Sequence, residues 1–107
     1  MSPSLAWLML VIAGLLDVGW AISMKYAEGY MRPGWSIASL VLLAAFVFLL
    51  GRALKVLEIG VAYSVWTGIG AAGTFLMGVV LFGETLSVMK LAGIALVLMG
   101  IVALKLA

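Results

Sequence analysis

One acidic residue, Asp17, lies deep inside an apolar stretch that runs from about Leu5 to Met24. The remaining charged residues fall in polar connections or at the ends of apolar stretches. An Asp at the centre of a membrane helix costs about 2.5–3.5 kcal/mol on insertion scales, so its presence needs a compensation or a function. The structural compensations are a protonated carboxyl bonded to another helix, a pairing with a basic helix end, or a position nearer the interface. The functional interpretation, which an intramembrane carboxylate favours, is a cation or proton site.

The chemistry of Asp17 is suited to exchanging a cation for a proton. Removal from water favours the neutral acid, whereas a neighbouring cation favours the carboxylate. Proton and cation therefore compete for one group, and this competition alone would couple inward protons to outward substrate. The chain has no His and no Cys, which removes the usual ligands of zinc, haem and thiol chemistry. We expect no metal, no cofactor and no enzyme activity.

Small and aromatic residues surround Asp17 at helical spacing. Positions three and four residues away share its helix face, which places Ala13 and Gly14 on one side and Trp20 and Ala21 on the other. The small residues would admit another backbone or a ligand, and Trp20 would form an aromatic wall. A Trp within a membrane helix also serves ordinary packing or interface anchoring, and that alternative stays open.

A second stripe of polar and aromatic residues follows helical spacing later in the chain. It comprises Tyr63, Trp66, Thr67 and Gly70. The two hydroxyls and the indole ring suit a cation through hydrogen bonds and cation–π contact, although ordinary helix packing is the alternative. Gly68 and Gly70 predict a hinge of the kind that a rocking transporter needs, while close packing also explains glycines in membrane helices.

The composition decides which elements position these residues. Hydrophobic residues make up 67% of the 107 positions and charged residues 9%, against about 25% charge in soluble domains. Lipid must therefore be the solvent, and we predict an all-α integral membrane protein. Four transmembrane helices are expected at about residues 5–24, 35–51, 59–82 and 86–104, forming a single domain over residues 1–107, because about 20 residues cross the hydrocarbon core.

The basic residues divide evenly between the two sides of this predicted topology. One side carries Arg52, Lys55 and Lys105, and the other carries Lys25, Arg32 and Lys90. Such a balance gives the positive-inside rule little to act on. A small protein can be balanced by chance, but the pattern also predicts dual topology, in which oppositely inserted copies pair as an antiparallel dimer with a site near the midplane. A net charge of +2 without a basic patch predicts no nucleic-acid partner.

The fourth span carries a stripe suited to close helix contact. It comprises Gly93, Leu96, Val97 and Gly100, with small residues spaced by seven. Small residues let helices approach closely in lipid. Since this span holds no intramembrane charge, we predict that the stripe is the dimer seam.

At full length the sequence resembles the small multidrug resistance family. The resemblance is carried by AGLLDVGWAISMKYAEGY in the first span, IGVAYSVWTGIGAAGT in the third, LFGET before the fourth and GIALVLMGIVALKL at the end. It implies a four-helix protomer of the bacterial inner membrane that assembles as an antiparallel dimer and exports cations by proton antiport. It also implies that Asp17 binds both proton and substrate, with Tyr63 and Trp66 lining the pocket.

The residues after the carboxylate resemble one branch of that family. Guanidinium exporters have the pattern carboxylate-Val-x-Trp-Ala, and this chain reads Asp17-Val18-Gly19-Trp20-Ala21. Quaternary-ammonium exporters typically have a small residue at the Trp20 position. A planar guanidinium can donate two parallel N–H bonds to a carboxylate. The resemblance thus implies a proton-coupled antiporter that exports guanidinium or small guanidinyl cations by alternating access, with Tyr63 and Thr67 hydrogen-bonded to the carboxylates.

Two positions depart from the family pattern. The usual Glu is Asp17 here, one methylene shorter, and Phe46 stands where guanidinium exporters usually place a Ser that bonds the carboxylate. We therefore include Phe46 among the substrate-binding residues. These departures leave three alternatives open: a broader exporter of quaternary ammonium or lipophilic cations, one subunit of a heteromeric pair, and a membrane subunit that does not itself transport.

Overall fold

A computed structural model describes residues 2–107, so the first residue of the predicted domain 1–107 lies outside the described part. It contains the helices α1 (Pro3–Tyr26), α2 (Pro33–Ala53), α3 (Ile59–Phe82) and α4 (Val88–Leu106). Each is long and apolar enough to cross a membrane. The all-helical prediction is confirmed. Compared with the predicted spans, α1 and α2 extend two residues further at each end, α3 has the same bounds, and α4 begins and ends two residues later.

The helix boundaries follow from residues that satisfy free backbone groups. The Ser2 and Ser87 hydroxyls cap α1 and α4, each accepting a hydrogen bond from the backbone N–H three residues later at 3.2 and 3.1 Å. Pro33 is the first residue of α2. Proline is tolerated there because backbone N–H groups in the first turn of a helix make no intrahelical hydrogen bond. Gly83 ends α3 in the left-handed region with a φ of 62°, which glycine adopts without steric cost.

The helices form a single flat layer rather than a closed bundle. The α1 helix lies between α2 and α3, and the backbone of α4 approaches that of α3 alone within residues 2–107. The molecule measures 40 × 35 × 16 Å, and its smallest dimension is close to the diameter of one helix with its side chains. None of the described α4 residues is buried. The protomer therefore presents two broad apolar faces, and α4 packs against α3 on one side only.

The α1 and α3 helices run side by side in the same direction. Their closest contacts keep a nearly constant register: Asp17 lies against Gly70, and Val18 lies against Gly73. Glycine on α3 lets the two backbones approach where these α1 side chains project. This register determines which α3 residues lie next to Asp17 and Val18.

Side-chain contacts show which connections share an end of the molecule. Lys25 at the end of α1 pairs with Glu84 in the α3–α4 connection at 3.0 Å. At the opposite end, the Lys105 ammonium lies 4.7 Å from the ring centroid of Trp7. Both termini therefore lie at one end and the α1–α2 and α3–α4 connections at the other, as the predicted up-and-down topology requires.

Candidate functional site

Asp17 is positioned between α1 and α3 by the absence of a side chain at Gly70. The Asp17 side chain is half-buried, and a Cβ atom on Gly70 would overlap its carboxylate. The ion pairs among residues 2–107 are Lys25–Glu84 and Glu28–Arg32, so no basic side chain of the described chain neutralises Asp17. The carboxylate is thus sheltered on the α3 side and available to a cation from elsewhere.

Four aromatic rings form a continuous row across three helices, and one of them, Trp20, is three residues from Asp17 on α1. Trp20 of α1 contacts Phe46 of α2 with ring centroids 5.5 Å apart, and Phe46 stacks on Trp66 of α3 at 5.4 Å. Tyr63 meets Trp66 edge-on at 5.4 Å. Phe46 is only 3% exposed. Phe46 is therefore enclosed by its neighbours, while Trp20, Trp66 and Tyr63 keep exposed ring surface of the kind that supports flat or alkylated cations.

The indole of Trp66 carries an unused hydrogen-bond donor. Its Nε1 atom is buried and has no acceptor within residues 2–107, although buried polar groups normally have a partner. An indole N–H can only donate. Guanidinium and ammonium cations also only donate, so the partner this atom requires is an acceptor such as a carboxylate or water rather than the cation itself.

The two hydroxyls of the α3 stripe have different surroundings. The Thr67 hydroxyl donates to the Tyr63 carbonyl at 2.7 Å and lies 3.3 Å from the Ser64 carbonyl. This donor is therefore engaged with its own helix and not with Asp17. The Tyr63 side chain is 59% exposed at the open end of the aromatic row. A bond from either hydroxyl to a carboxylate stays a prediction.

The predicted pocket and hinge glycines have packing partners in this conformation. Gly14 is buried under Ile69, whose Cγ2 would lie 2.7 Å from a Cβ at that position. Gly14 thus admits a side chain of α3 and leaves no space there for a ligand. Gly68 receives Ile101 of α4 in the same way, and α3 is one unbroken helix through Gly68 and Gly70. The bend at these glycines remains a prediction.

The α4 stripe is largely open in the protomer. Gly93, Leu96 and Gly100 are exposed, and a Cβ atom on either glycine would meet nothing within 4 Å. Val97 differs, because its Cγ1 lies 3.2 Å from the Cβ position of Gly68. All four predicted seam residues are therefore exposed to lipid or a second protein, and Val97 also borders α3.

Sequence reasoning did not anticipate the partnership between Asp17 and Gly70. The sequence pattern predicts Gly70 as a stripe and hinge residue, and in the structure it is also the surface on which the carboxylate lies. The signal in the sequence that could have found it is a short acid in one span together with a glycine-rich third span, since glycine lets another helix approach closely. The enclosure of Phe46 between Trp20 and Trp66 was equally hidden, because nothing in the α2 sequence marks which face meets α1.

Comparisons with known proteins agree over nearly the whole chain. The profile of the Small Multidrug Resistance protein family matches residues 5–97. A guanidinium exporter of Yersinia pseudotuberculosis is 54% identical over 103 residues, covering 96% of this chain and 99% of that protein. Guanidinium exporters of Escherichia coli K12 and Proteus vulgaris are 46% and 40% identical, with 95–96% of this chain and 97–99% of the relatives covered.

Proposed function

The chain belongs to the Small Multidrug Resistance protein family, and from that membership we propose a proton-coupled antiporter that exports guanidinium or small guanidinyl cations by alternating access. It is a multi-pass protein of the bacterial inner membrane. The guanidinium exporters that match it at 40–54% identity support the choice of substrate. Residues 1–107 would act as one four-helix transmembrane domain, with no cofactor and no metal.

The observation that carries the proposal is the placement of Asp17. It is an acid in the middle of a membrane-spanning helix, half-buried, and without a basic partner in the described chain. A carboxylate kept from both water and counter-ions is costly, and a bound proton or a bound organic cation each relieves that cost. Exchange of one for the other is the reaction that this arrangement favours.

Each chemical step of the cycle balances at this one group. On the side with high proton concentration, the carboxylate of Asp17 takes a proton and the cation departs. On the other side, guanidinium binds through two parallel N–H bonds, and the proton leaves to water. Since the group holds a proton or a cation but not both, the movement of one must accompany the return of the other.

The aromatic row would define the shape of the pocket. Trp20 and Trp66 flank Phe46 at stacking distance, and a planar guanidinium matches such faces. The free Nε1 donor of Trp66 would hold a carboxylate oxygen, which orients the acid without competing for the cation. Tyr63 and Thr67 would complete the hydrogen bonding when the site is occupied.

The shape of the protomer supports an antiparallel homodimer. A layer 16 Å thick leaves the face beside Asp17 without a second wall, and α4 has no partner on its outer side. Two oppositely inserted copies meeting along Gly93, Leu96, Val97 and Gly100 would enclose both carboxylates near the midplane. A heterodimer with a related subunit that supplies a Glu is the alternative assembly.

Phe46 favours a second candidate function. Its buried ring replaces the polar group expected in a guanidinium exporter and makes the row continuous. An apolar aromatic wall suits quaternary ammonium or lipophilic cations, whose alkyl groups cannot form hydrogen bonds. A broader multidrug exporter is therefore the runner-up, and it differs from the first in its preference for tetraalkyl or aromatic cations.

Transport by purified protein in liposomes tests the proposal. Liposomes containing a pH-sensitive dye are given guanidinium, a tetraalkylammonium ion and an aromatic cation in separate experiments. We expect guanidinium to drive the largest proton flux. Proton flux with the other cations alone would favour the runner-up, while flux that requires a co-expressed homologue would favour the heteromeric alternative. Absence of guanidinium-dependent proton flux at every pH contradicts the proposed antiport.

A further inference from the structure

The groove between α1 and α3 contains a small cavity between Asp17 and the α3–α4 connection. The cavity has a volume of about 60 Å³, and its lining includes Ala21 and Thr74 at the inner end and Lys25 and Glu84 at the outer end. At about 15 Å³ per molecule, this volume holds roughly four waters. The two charged side chains pair at 3.0 Å and are about half exposed, so the cavity meets the aqueous phase at its outer end.

The cavity does not reach the carboxylate, because Val18 packs on Gly73 between them. Neither Asp17 nor Gly70 lines the cavity. Val18 is 7% exposed, and a Cβ atom on Gly73 would lie 2.5 Å from its Cγ2. Because α1 and α3 run in the same direction, this contact follows the Asp17–Gly70 contact along the helix axes and precedes the inner end of the cavity, which begins about 6 Å further on.

On the other side of Asp17 the groove is filled by packed apolar side chains. Ile69 lies over Gly14, and its Cγ2 would be 2.7 Å from a Cβ atom at that glycine. Ile69 packs in turn against a cluster that contains the fully buried Leu10 and Val65. The carboxylate is therefore closed off along the groove in both directions, and water and cations reach it from the open face of the layer.

We propose that Val18 is a seal that keeps the water of this cavity from Asp17 and thereby keeps proton movement coupled to cation movement. This role rests on the proposed antiport, in which Asp17 meets one membrane face at a time through the opening that the cation uses. A second contact with water through the cavity would let Asp17 take a proton from one face and release it to the other with no cation in exchange. Val18 thus acts through Asp17, by determining which water the carboxylate meets.

The chemistry of valine suits a seal at this position. Its two methyl groups offer water no hydrogen bond, and the side chain has one strongly preferred rotamer in a helix, which holds the methyl groups in the groove. Without them, the gap would exceed the roughly 30 Å³ that one water occupies in the liquid. The Thr74 hydroxyl and the Asp17 carboxylate would border such a gap, and both form hydrogen bonds with water. Loss of the methyl groups should therefore admit water.

Val18→Ala and Val18→Thr test the seal in liposomes with a pH gradient. Alanine opens the groove, whereas threonine keeps the shape of valine, so that its folding is preserved, but adds a hydroxyl that binds water. In both variants we expect the proton flux without any organic cation to rise at least about fivefold. Exchange of labelled for unlabelled guanidinium needs no net proton movement and should stay within about twofold of the parent. A variant that is merely destabilised would lose this exchange and gain no proton flux.

The contact distances at Gly73 supply a compensating substitution. A Cβ atom there would crowd the Val18 Cγ2, but it would lie 3.6 Å from the Val18 Cβ, which is an ordinary contact distance. Gly73→Ala should therefore refill the groove when it is combined with Val18→Ala. The double variant should return the cation-free proton flux to within about twofold of the parent. Asp17→Asn combined with Val18→Ala should also remove the increase, because the amide cannot carry the proton.

Val80→Ala is the matched control. Val80 is on α3 but 72% exposed, so the same loss of two methyl groups should leave the cation-free proton flux unchanged. Unchanged flux in both Val18 variants overturns the seal while the antiport stands. An increase that persists in the Asp17→Asn background, or that Gly73→Ala does not reverse, overturns it as well. A parent protein without guanidinium-driven proton flux overturns the antiport itself.

Discussion

The short side chain of Asp17 and the missing side chain of Gly70 are complementary. Asp reaches one methylene less far than Glu, and Gly70 brings the backbone of α3 up to the carboxylate. The acid consequently lies in the groove between α1 and α3 rather than out on the open face of the layer. Because Asp17 is only half-buried, the side of the carboxylate away from Gly70 is left for a cation.

Competition at one carboxylate predicts a definite pH dependence of cation binding. At low pH the acid form of Asp17 predominates and excludes guanidinium, so the dissociation constant should rise about tenfold per pH unit there. At high pH the carboxylate predominates, and the constant should reach a plateau. Asp17→Asn should weaken binding at high pH by at least about 30-fold, since loss of one partner of a desolvated charge pair costs about 2 kcal/mol or more.

Titration of tryptophan fluorescence with guanidinium at a series of pH values measures both effects. Asp17→Glu is the control that retains an exchangeable proton and should keep the pH dependence. Equal affinity at all pH values, or an Asn variant that binds like the parent, would contradict a shared site.

The buried ring of Phe46 predicts the balance between cation classes. Phe46→Ser removes the central ring of the aromatic row and introduces a hydroxyl beside the carboxylate. The ratio of guanidinium to tetraalkylammonium transport should increase about fivefold, because an aromatic contact contributes roughly 1 kcal/mol. Phe48→Ser is the matched control, since Phe48 is on the same helix but 61% exposed. Transport rates are measured for a short panel of cations. An unchanged ratio of guanidinium to tetraalkylammonium transport in Phe46→Ser would contradict a role of the Phe46 ring in cation selectivity.

At the scale of the helices, glycine determines how α1 and α3 meet. Gly14 receives Ile69, Gly70 receives Asp17, and Gly73 receives Val18. A bend of α3 at the predicted hinge would separate Gly70 from the Asp17 carboxylate. Bending at the predicted hinge would therefore change the surroundings of the Asp17 carboxylate directly.

Two glycines of α3 should respond differently to substitution by alanine, because Gly70 contacts α1 and Gly60 does not. Gly70→Ala forces a methyl group against the Asp17 carboxylate, and guanidinium-driven proton flux should fall at least about fivefold, as overpacking costs about 1–3 kcal/mol. Gly60→Ala meets open space and should raise thermal stability slightly, since alanine favours a helix by about 1 kcal/mol. Flux and melting temperature are measured for both. Normal flux in Gly70→Ala would mean that the carboxylate does not depend on this contact.

The positions of the helices could be predicted from sequence, but their mutual rotation could not. Runs of about 20 apolar residues define the spans, and an acid such as Asp17 is conspicuous within one. Which α3 residue lies opposite it depends on register and rotation, which almost uniformly apolar helices do not encode in their periodicity. The packing of Gly14 under Ile69 and the enclosure of Phe46 are consequences of that rotation. The Lys25–Glu84 pair likewise depends on two connections meeting at one end.

At the scale of the whole molecule, the flat protomer leaves the proposed exchange site open on one side. Its 16 Å thickness gives Asp17 a wall on the α3 side and none on the opposite face. The outer surface of α4 is apolar and has no partner within residues 2–107. Because basic residues are distributed evenly between the two ends, the chain has no strong preference for one orientation in the membrane. These features together favour closure of the site by an inverted second copy.

The predicted seam is testable because its glycines have free space in the protomer. A Cβ atom on Gly100 meets nothing within 4 Å, and the same holds for Gly51 on α2. Gly100→Leu therefore leaves the protomer intact but should keep α4 from approaching a second copy. Overpacking costs of about 1–3 kcal/mol would weaken dimerisation in the bilayer by roughly fivefold or more, and guanidinium-driven flux should fall with it. Gly51→Leu should alter neither.

Counting labelled subunits per complex in dilute liposomes measures the dimer directly. Tags on the amino terminus and on the α1–α2 connection then report orientation through crosslinking, because only an antiparallel pair brings the two different tags to one face. A dimer unaffected by Gly100→Leu would place the seam elsewhere. Crosslinks between identical tags alone would indicate a parallel pair, in which the two Asp17 carboxylates could not be related by an axis in the membrane plane.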